Sequence, residues 1–240
     1  EGKRATIANN IFSDQTDSAG TIVELNHEKK YLKLKRGIKS GYLPDQLSIG
    51  PSSPYDPSKL ELSTYNFIDS VLDQTDKYQS LGRLLKKENP KIKGIKKGEK
   101  ILKTDNFFEE IPNVISNLDN SYIYLQGPPG TGKTTQAANA IVELIKKNKK
   151  VAITANSHKV IHNLIEKVED TAVRKKIKFK GLKAGRENDV DTVFNGKFVT
   201  TSSRDTDFIY GVKDKTTFLF GGTKYHLSNS YYDSKMDYLF

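Results

Sequence analysis

The stretch Gly127 to Thr134, GPPGTGKT, carries the residue types that hold a nucleoside triphosphate. It satisfies the pattern G-x-x-x-x-G-K-[ST], in which glycines let backbone N–H groups approach phosphate oxygens closely. Lys133 supplies a cation for the β and γ phosphates, and the hydroxyl of Thr134 is a ligand for Mg²⁺. The sequence therefore predicts a phosphate-binding loop that takes ATP and Mg²⁺.

We expect the whole loop and the start of the next helix to contact the nucleotide. Catalytic roles are predicted for Lys133 and Thr134, and Thr134 is the predicted Mg²⁺ ligand. The predicted nucleotide contacts are Gly127, Pro128, Pro129, Gly130, Thr131, Gly132, Lys133, Thr134 and Thr135. The pattern identifies the ligand but no reaction class, because kinases, GTPases, transport ATPases and motors all use it.

A second polar cluster, Thr154, Asn156, Ser157 and His158, follows the predicted strand Val151–Thr154 and opens a predicted helix. The carboxyl ends of parallel strands meet at one edge of a sheet, which is the ligand-binding edge of such folds. Hydroxyl and amide groups, with the free N–H groups of a helix start, suit a phosphodiester backbone. Asn156 and Ser157 can also cap the helix, and the two roles are compatible.

Strands and helices alternate around these two sites. A strand is predicted at 122–126, a helix at 133–147, a strand at 151–154 and a helix at 158–168. Further strands are predicted at 198–202, 217–220 and 238–240. The apolar residues of both helices recur at helical spacing. This series predicts an α/β fold, with a parallel sheet covered by helices on both faces.

The residues before 104 predict a smaller accessory region. TIVEL (21–25) and YLKLK (31–35) alternate with period two, which predicts a hairpin with Val23 and Leu25 opposite Leu32 and Leu34. Helices are predicted in this region at 60–72 and 78–87, and beyond it a helix is predicted at 106–118, with Pro112 limiting its regular part to the C-terminal half. Lys86 to Lys100 holds seven lysines and is interpreted as an exposed linker or, alternatively, a nucleic-acid contact. We therefore predict domains at 1–104 and 105–240.

Basic residues form a further pattern between Lys176 and Leu182, where cations alternate with apolar residues. The alternation predicts an edge or surface strand with a basic outer row. The basic row Lys176, Lys178, Lys180 and Lys183 is interpreted either as a solvated face or as a nucleic-acid contact. The whole chain carries a formal charge of +10, which suits an anionic partner such as nucleic acid.

Several classes of site are disfavoured by composition. The chain has no cysteine, so disulfide partners, thiolate nucleophiles and Cys-ligated metals are excluded. His158 and His162 have the spacing of a helical zinc pair, but Lys159 stands where the H-E-x-x-H pattern needs Glu. No apolar run approaches the roughly 20 residues that span a bilayer. We expect a cytoplasmic protein without a membrane partner.

Four segments resemble superfamily 1 helicases, in the branch that includes nonsense-mediated-decay and Okazaki-fragment-processing enzymes. QGPPGTGKT resembles motif I, and TANSHKVIHNL resembles motif Ia of bacterial proteins that fuse a RecB-like nuclease to such a helicase. LFGGT (219–223) is similar to a later backbone-contacting motif. MDYLF (236–240) resembles the strand that leads into the Asp-Glu Walker B box.

The resemblance implies a RecA-like first motor domain with a small N-terminal β-barrel-like insertion. It implies that Asn156, Ser157, His158 and Thr223 grip single-stranded DNA or RNA, and that a nuclease domain is possible outside this chain. We expect a piece of a longer protein, ending before Walker B and not hydrolysing ATP alone. Two alternatives stay open: a P-loop ATPase without nucleic-acid substrate, and a non-enzymatic nucleic-acid-binding module.

Overall fold

The structure, a computed structural model, describes residues 4–8, 16–43, 47–51, 56–104, 106–187 and 189–240. The chain divides into two compact units, Glu1–Pro57 and Ser58–Phe240. This division falls well before the predicted boundary near residue 104. The two helices predicted between residues 60 and 87 therefore belong to the same unit as the phosphate-binding loop.

The first unit contains a four-stranded antiparallel sheet. Its strands are β1 (Arg4–Ala8), β2 (Thr16–Asn26), β3 (Tyr31–Lys35) and β4 (Ser48–Pro51), in the order β3-β2-β1-β4. A short 3₁₀ helix, Ile38–Ser40, follows β3. The described pairings leave β3 and β4 at opposite edges, so they form an open sheet, and closure into a barrel stays a prediction.

The β2–β3 hairpin has a different buried face from the one predicted. A register shift places Val23 in a bulge, next to the paired residues Ile22 and Leu34. Ile22 and Leu34 pack around the buried Ala19, whereas Val23 and Leu25 are 49% and 50% exposed. Leu25 is opposite Leu32 as predicted, but the bulge places Ile22 rather than Val23 opposite Leu34, which simple alternation in the sequence does not reveal.

The second unit is built on a five-stranded parallel sheet. Its strands are β5 (Val151–Ile153), β6 (Lys180–Ala184), β7 (Val199–Ser202), β8 (Thr217–Gly221) and β9 (Tyr238–Leu239), in the order β7-β6-β8-β5-β9. All four strand pairs are parallel. The predicted α/β class with a parallel sheet is confirmed, and the arrangement is that of a RecA-like P-loop NTPase.

Helices cover both faces of this sheet. They are α1 (Ser58–Leu72), α2 (Gln79–Leu85), α3 (Phe107–Ser116), α4 (Lys133–Lys146), α5 (His158–Arg174), α6 (Asp205–Lys213) and α7 (Lys224–Leu227). Leu219 of β8 packs in the core with α3, α4 and α5, and its neighbour Phe220 packs on the opposite face with Phe208 of α6. None of the helices in the described ranges is long and apolar enough to cross a membrane.

Helix α3 continues through Pro112 because another helix replaces the missing hydrogen bond. A proline cannot donate to the carbonyl four residues earlier, here that of Phe108. The side-chain amide of Asn139, buried in α4, donates to this carbonyl at 2.6 Å. The prediction that Pro112 confines the helix to its C-terminal half is therefore wrong, and the substitute bond fixes α3 against α4.

Two segments differ from their predicted conformation. The segment 122–126 forms no strand among the described residues: Tyr124 and Leu125 are 73% and 37% exposed, and Ile123 contacts the core. The lysine-rich segment is not a free linker, because Ile92 is buried and pairs with Leu118. The apolar composition of 122–126 does not show that this segment has no partner strand among the described residues. The high lysine content of the other segment gives no sign that Ile92 packs against the rest of the unit.

Strand β6 is wrongly predicted as an edge strand. It lies between β7 and β8, and it begins at Lys180, so Lys176 and Lys178 precede it. Lys176, Lys178 and Lys180 are exposed, but Lys183 is fully buried. The predicted outer row is therefore broken at its last member, which lies inside the protein.

Candidate functional site

The phosphate-binding loop has the backbone that its glycines predict. Gly130 and Gly132 adopt φ of +83° and +80°, a region that residues with a Cβ rarely enter. At Gly127 a Cβ would lie 2.6 Å from the Thr131 hydroxyl oxygen. That hydroxyl closes the loop by donating to the Pro128 carbonyl at 2.8 Å. Gly130 and Gly132 are thus required by their backbone conformation, and Gly127 is required because a side chain would clash with Thr131.

Lys133, the first residue of α4, lies across this loop. Its ammonium donates to the carbonyl oxygens of Gly127 at 2.5 Å and Pro128 at 2.7 Å. Phosphate oxygens are stronger acceptors for an ammonium than neutral carbonyls. The loop, its cation and the adjacent exposed Thr134 hydroxyl therefore fit a triphosphate with Mg²⁺, an ion that keeps several waters and needs few protein ligands.

The remaining predicted nucleotide contacts divide between two environments. Pro128, Pro129 and Gly130 are exposed at the tip of the loop. Thr135 lines a groove between α4 and α5, together with Lys167 and Asp170. Thr135 thus lies in the groove between α4 and α5. Its predicted contact with the nucleotide stays a prediction.

The polar cluster after β5 begins helix α5 as predicted. Ser157 is the N-cap, and its side chain accepts from the Val160 N–H at 3.4 Å. Asn156 is exposed and His158 is half-buried in the first turn. Ile161, Ile165, Val168 and Ala172 form the buried face of α5. Packing of this face against the sheet holds the polar start of the helix at the carboxyl edge.

Thr223 lies at the same edge, after the neighbouring strand. β5 and β8 are paired with Ile153 opposite Gly221, and the Gly222 N–H donates to the Ile153 carbonyl at 3.0 Å. Adjacent strands are about 4.8 Å apart. Thr223 precedes α7, and its side chain makes no cap hydrogen bond among the described residues. The structure thus brings the four predicted nucleic-acid contacts, three after β5 and one after β8, to neighbouring strand ends.

Short helix α7 is anchored by His226, which the sequence did not single out. The His226 ring lies 4.4 Å from that of Phe208, and its Nε2 is 2.8 Å from the Tyr232 hydroxyl. A Cβ on Gly222 would lie 2.8 Å from the His226 ring. Burial lowers the pKa of His226 to about 4, so it is neutral at neutral pH. These contacts hold the backbone on both sides of Thr223.

A buried lysine lies beneath the polar start of α5. A Cβ on Gly221 would lie 3.2 Å from Cγ of Lys183, so the glycine leaves room for the lysine stem. In the described part of the chain, the ammonium donates to the Thr192 carbonyl rather than to a carboxylate. Burial lowers the pKa of Lys183 to about 8, and the charge of Asp189 partly opposes this shift.

Lys183 also affects the two histidines of α5. Burial, followed by the charge of Lys183, lowers the pKa of both His158 and His162. Nδ1 of His158 and Nε2 of His162 are buried without a hydrogen-bond partner among the described atoms. Both the burial of His158 and the charge of Lys183 therefore favour the neutral form of its imidazole in the protein without a ligand. A nearby buried cation also opposes a zinc ion at this pair.

Comparisons with known proteins agree with this architecture. A family described as an AAA domain matches residues 108–206. Over 101 residues, the chain is 30% identical to DNA-binding protein SMUBP-2 of Mesocricetus auratus and 32% identical to the proteins of that name from Rattus norvegicus and Mus musculus. Each match covers 38% of this chain and 10% of the relative, so it spans about a tenth of the length of these proteins.

The matched region includes the phosphate-binding loop and the start of α5, and it ends before Thr223. Together with the parallel sheet, these similarities support a helicase-like P-loop ATPase of superfamily 1.

Proposed function

We propose that this chain is part of an ATP-dependent helicase or translocase that moves along single-stranded DNA or RNA. The observation that carries the proposal is the meeting of two polar strand ends, at β5 and β8, on the carboxyl edge of a parallel sheet. The same unit contains a phosphate-binding loop of suitable backbone geometry. The resemblance of TANSHKVIHNL to motif Ia of nuclease–helicase fusions is compatible with a RecB-like nuclease domain outside this chain. We further propose that the full-length protein is cytoplasmic.

In this mechanism, binding and hydrolysis of ATP would supply the free energy that drives movement, with Mg²⁺ neutralising the charge of the phosphates. Lys133, which donates to the carbonyls of Gly127 and Pro128 in this structure, would instead bind phosphate oxygens, and the hydroxyl of Thr134 would be a ligand of Mg²⁺. The packing of α4 on α5 gives a direct mechanical connection between the loop and the start of α5. The exposed amide of Asn156 then makes or breaks a hydrogen bond with a phosphate of the bound strand.

The predicted strand contacts are neutral groups. Asn156, Ser157 and Thr223 offer amides and hydroxyls, and His158 is held neutral by its surroundings. Such groups recognise sugar and phosphate and carry little sequence information. We therefore propose binding with weak sequence preference, and the positive charge of the chain makes it depend steeply on salt.

Fluorescence anisotropy with a labelled single-stranded oligonucleotide, with and without ATP, tests the proposal. Asn156→Ala and Thr223→Val should weaken binding, whereas Asn163→Ala, on the exposed side of α5, should not. Lys133→Ala should abolish the response to ATP, with Lys146→Ala as the matched control. Wild-type protein that binds neither DNA nor RNA would indicate an ATPase with another substrate. An oligonucleotide affinity that changes neither on addition of ATP nor in Lys133→Ala would indicate a non-enzymatic binding module.

A further inference from the structure

The N-terminus of α1 lies against α7, immediately after Thr223. The Lys59 ammonium is 5.4 Å from the centroid of the Tyr225 ring. One turn later in α1, the Ser63 hydroxyl donates to the Ser228 carbonyl at 3.3 Å. A cation and an aromatic ring from distant parts of the sequence therefore meet beside the predicted strand contact.

The residues next to this contact also include exposed lysines. Lys224 is exposed and directly precedes Tyr225, which is half-buried. Lys159 is exposed in the first turn of α5, next to the other strand end. Positive charges thus flank the neutral hydroxyls and amides along the carboxyl edge, from α5 to α7 and the start of α1.

The Lys59–Tyr225 contact is suited to exchange. A lysine over a partly exposed ring is held weakly, because its ammonium is well hydrated. A nucleic-acid base stacked on an aromatic side chain is the stronger contact of the two. A base can therefore displace the ammonium from the ring, and the released cation is then close to the phosphate of the same nucleotide.

We propose that Tyr225, Lys59 and Lys224 form a base-stacking and phosphate-binding extension of the site, for a nucleotide next to the one held by Thr223. Tyr225 stacks on the base, and the two lysines neutralise the adjacent phosphates. This inference rests on the proposed function and adds a residue that contacts bases to a site otherwise made of backbone contacts. Stacking tolerates every base, so the extension strengthens binding without sequence preference.

Packing of α7 does not depend on Tyr225 in the way that it depends on its neighbour. His226 supplies the contacts with Phe208 and Tyr232 that anchor the helix. Substitution of Tyr225 leaves these contacts of His226 in place.

Two ligands of equal length distinguish stacking from charge: an oligodeoxyadenylate and an oligomer of abasic sugar phosphate. Tyr225→Leu should weaken binding of the oligodeoxyadenylate about tenfold and leave the abasic strand unchanged. Tyr225→Phe should bind both like the wild type. Lys224→Ala should weaken both ligands and reduce the slope of log affinity against log salt by about 0.7. Tyr210→Leu, an exposed tyrosine on α6, is the matched control.

The outcomes separate this inference from the function on which it rests. Equal binding of the oligodeoxyadenylate by wild type and Tyr225→Leu would overturn the stacking extension while the proposed function stands. An equal loss in Tyr225→Leu and Tyr225→Phe would also overturn it, because the phenylalanine ring can stack. Failure of the wild type to bind either strand would overturn both. Circular dichroism melting confirms that each variant is folded.

Discussion

Replacing buried Lys183 by methionine should stabilise the second unit and remove part of its pH dependence. The lysine is fully buried, and its ammonium has the Thr192 carbonyl as acceptor. Methionine has a similar length and no charge, so it can fill the space over Gly221. The substitution therefore tests whether the buried ammonium of Lys183 lowers the free energy of unfolding.

The magnitude follows from the pKa values. The pKa of Lys183 falls from its ordinary 10.5 to about 8 in the folded protein. At about 1.4 kcal/mol for each unit of pKa, the difference between 10.5 and about 8 corresponds to about 3.5 kcal/mol. Loss of the hydrogen bond to Thr192 offsets about 1 kcal/mol. Near neutral pH, Lys183→Met should then raise the free energy of unfolding by about 2.5 kcal/mol.

The sign of the pH dependence is opposite to that of a lysine in a salt bridge. Between pH 8 and 10.5 the unfolded chain holds the proton of Lys183 and the folded protein does not. The contribution of this residue to stability therefore rises with pH through that range, and its destabilising effect is complete below pH 8. In Lys183→Met this contribution is absent.

Urea denaturation followed by the helical circular dichroism signal measures this effect, because all the α-helices of the described residues lie in the second unit. The difference in stability between wild type and Lys183→Met should shrink as pH rises from 8 to 10.5. Lys178→Met, which removes an exposed lysine nearby, should follow the wild type. A constant difference across the range, or a variant less stable than wild type near neutral pH, would refute the reasoning.

Three further substitutions follow from the structure, each measured against wild type. Asn139→Leu should cost about 1–3 kcal/mol in urea denaturation, because the Phe108 carbonyl then has no donor; an unchanged midpoint would contradict this. Glu169→Gln should lower the thermal midpoint, since the carboxylate accepts three backbone N–H bonds from residues 197–199; retained stability would exclude that role. Gly130→Ala should weaken binding of a fluorescent ATP analogue while the fold is kept, because φ of +83° is strained for alanine; equal affinity would contradict the loop geometry.

Local patterns in the sequence were sufficient for the loop itself and for the two helices α4 and α5, but not for the segment 122–126 before the loop. The phosphate-binding motif, helix α4 and helix α5 each depend on contacts within a few residues, such as the Ser157 cap and the glycine dihedrals. The period of apolar residues then indicated which side of each helix is buried. The α/β class followed from the alternation of these elements.

Tertiary contacts decided what the patterns left open. Pro112 lies within a helix because Asn139, distant in the sequence, donates to the freed carbonyl. Lys183 is buried because the order of the strands places β6 inside the sheet, beside a glycine of β8. The contact between Lys59 and Tyr225 joins residues that no local rule connects.

By itself, the sequence determined the phosphate-binding loop, the polar start of α5 and the class of fold, because these depend on backbone geometry and short-range periodicity. Only the tertiary structure decided that Asn156 and Thr223 follow the ends of neighbouring strands, and that burial together with the charge of Lys183 lowers the pKa of His158. The physical reason is that strand order and burial arise from long-range packing, which single residues and their spacing do not encode.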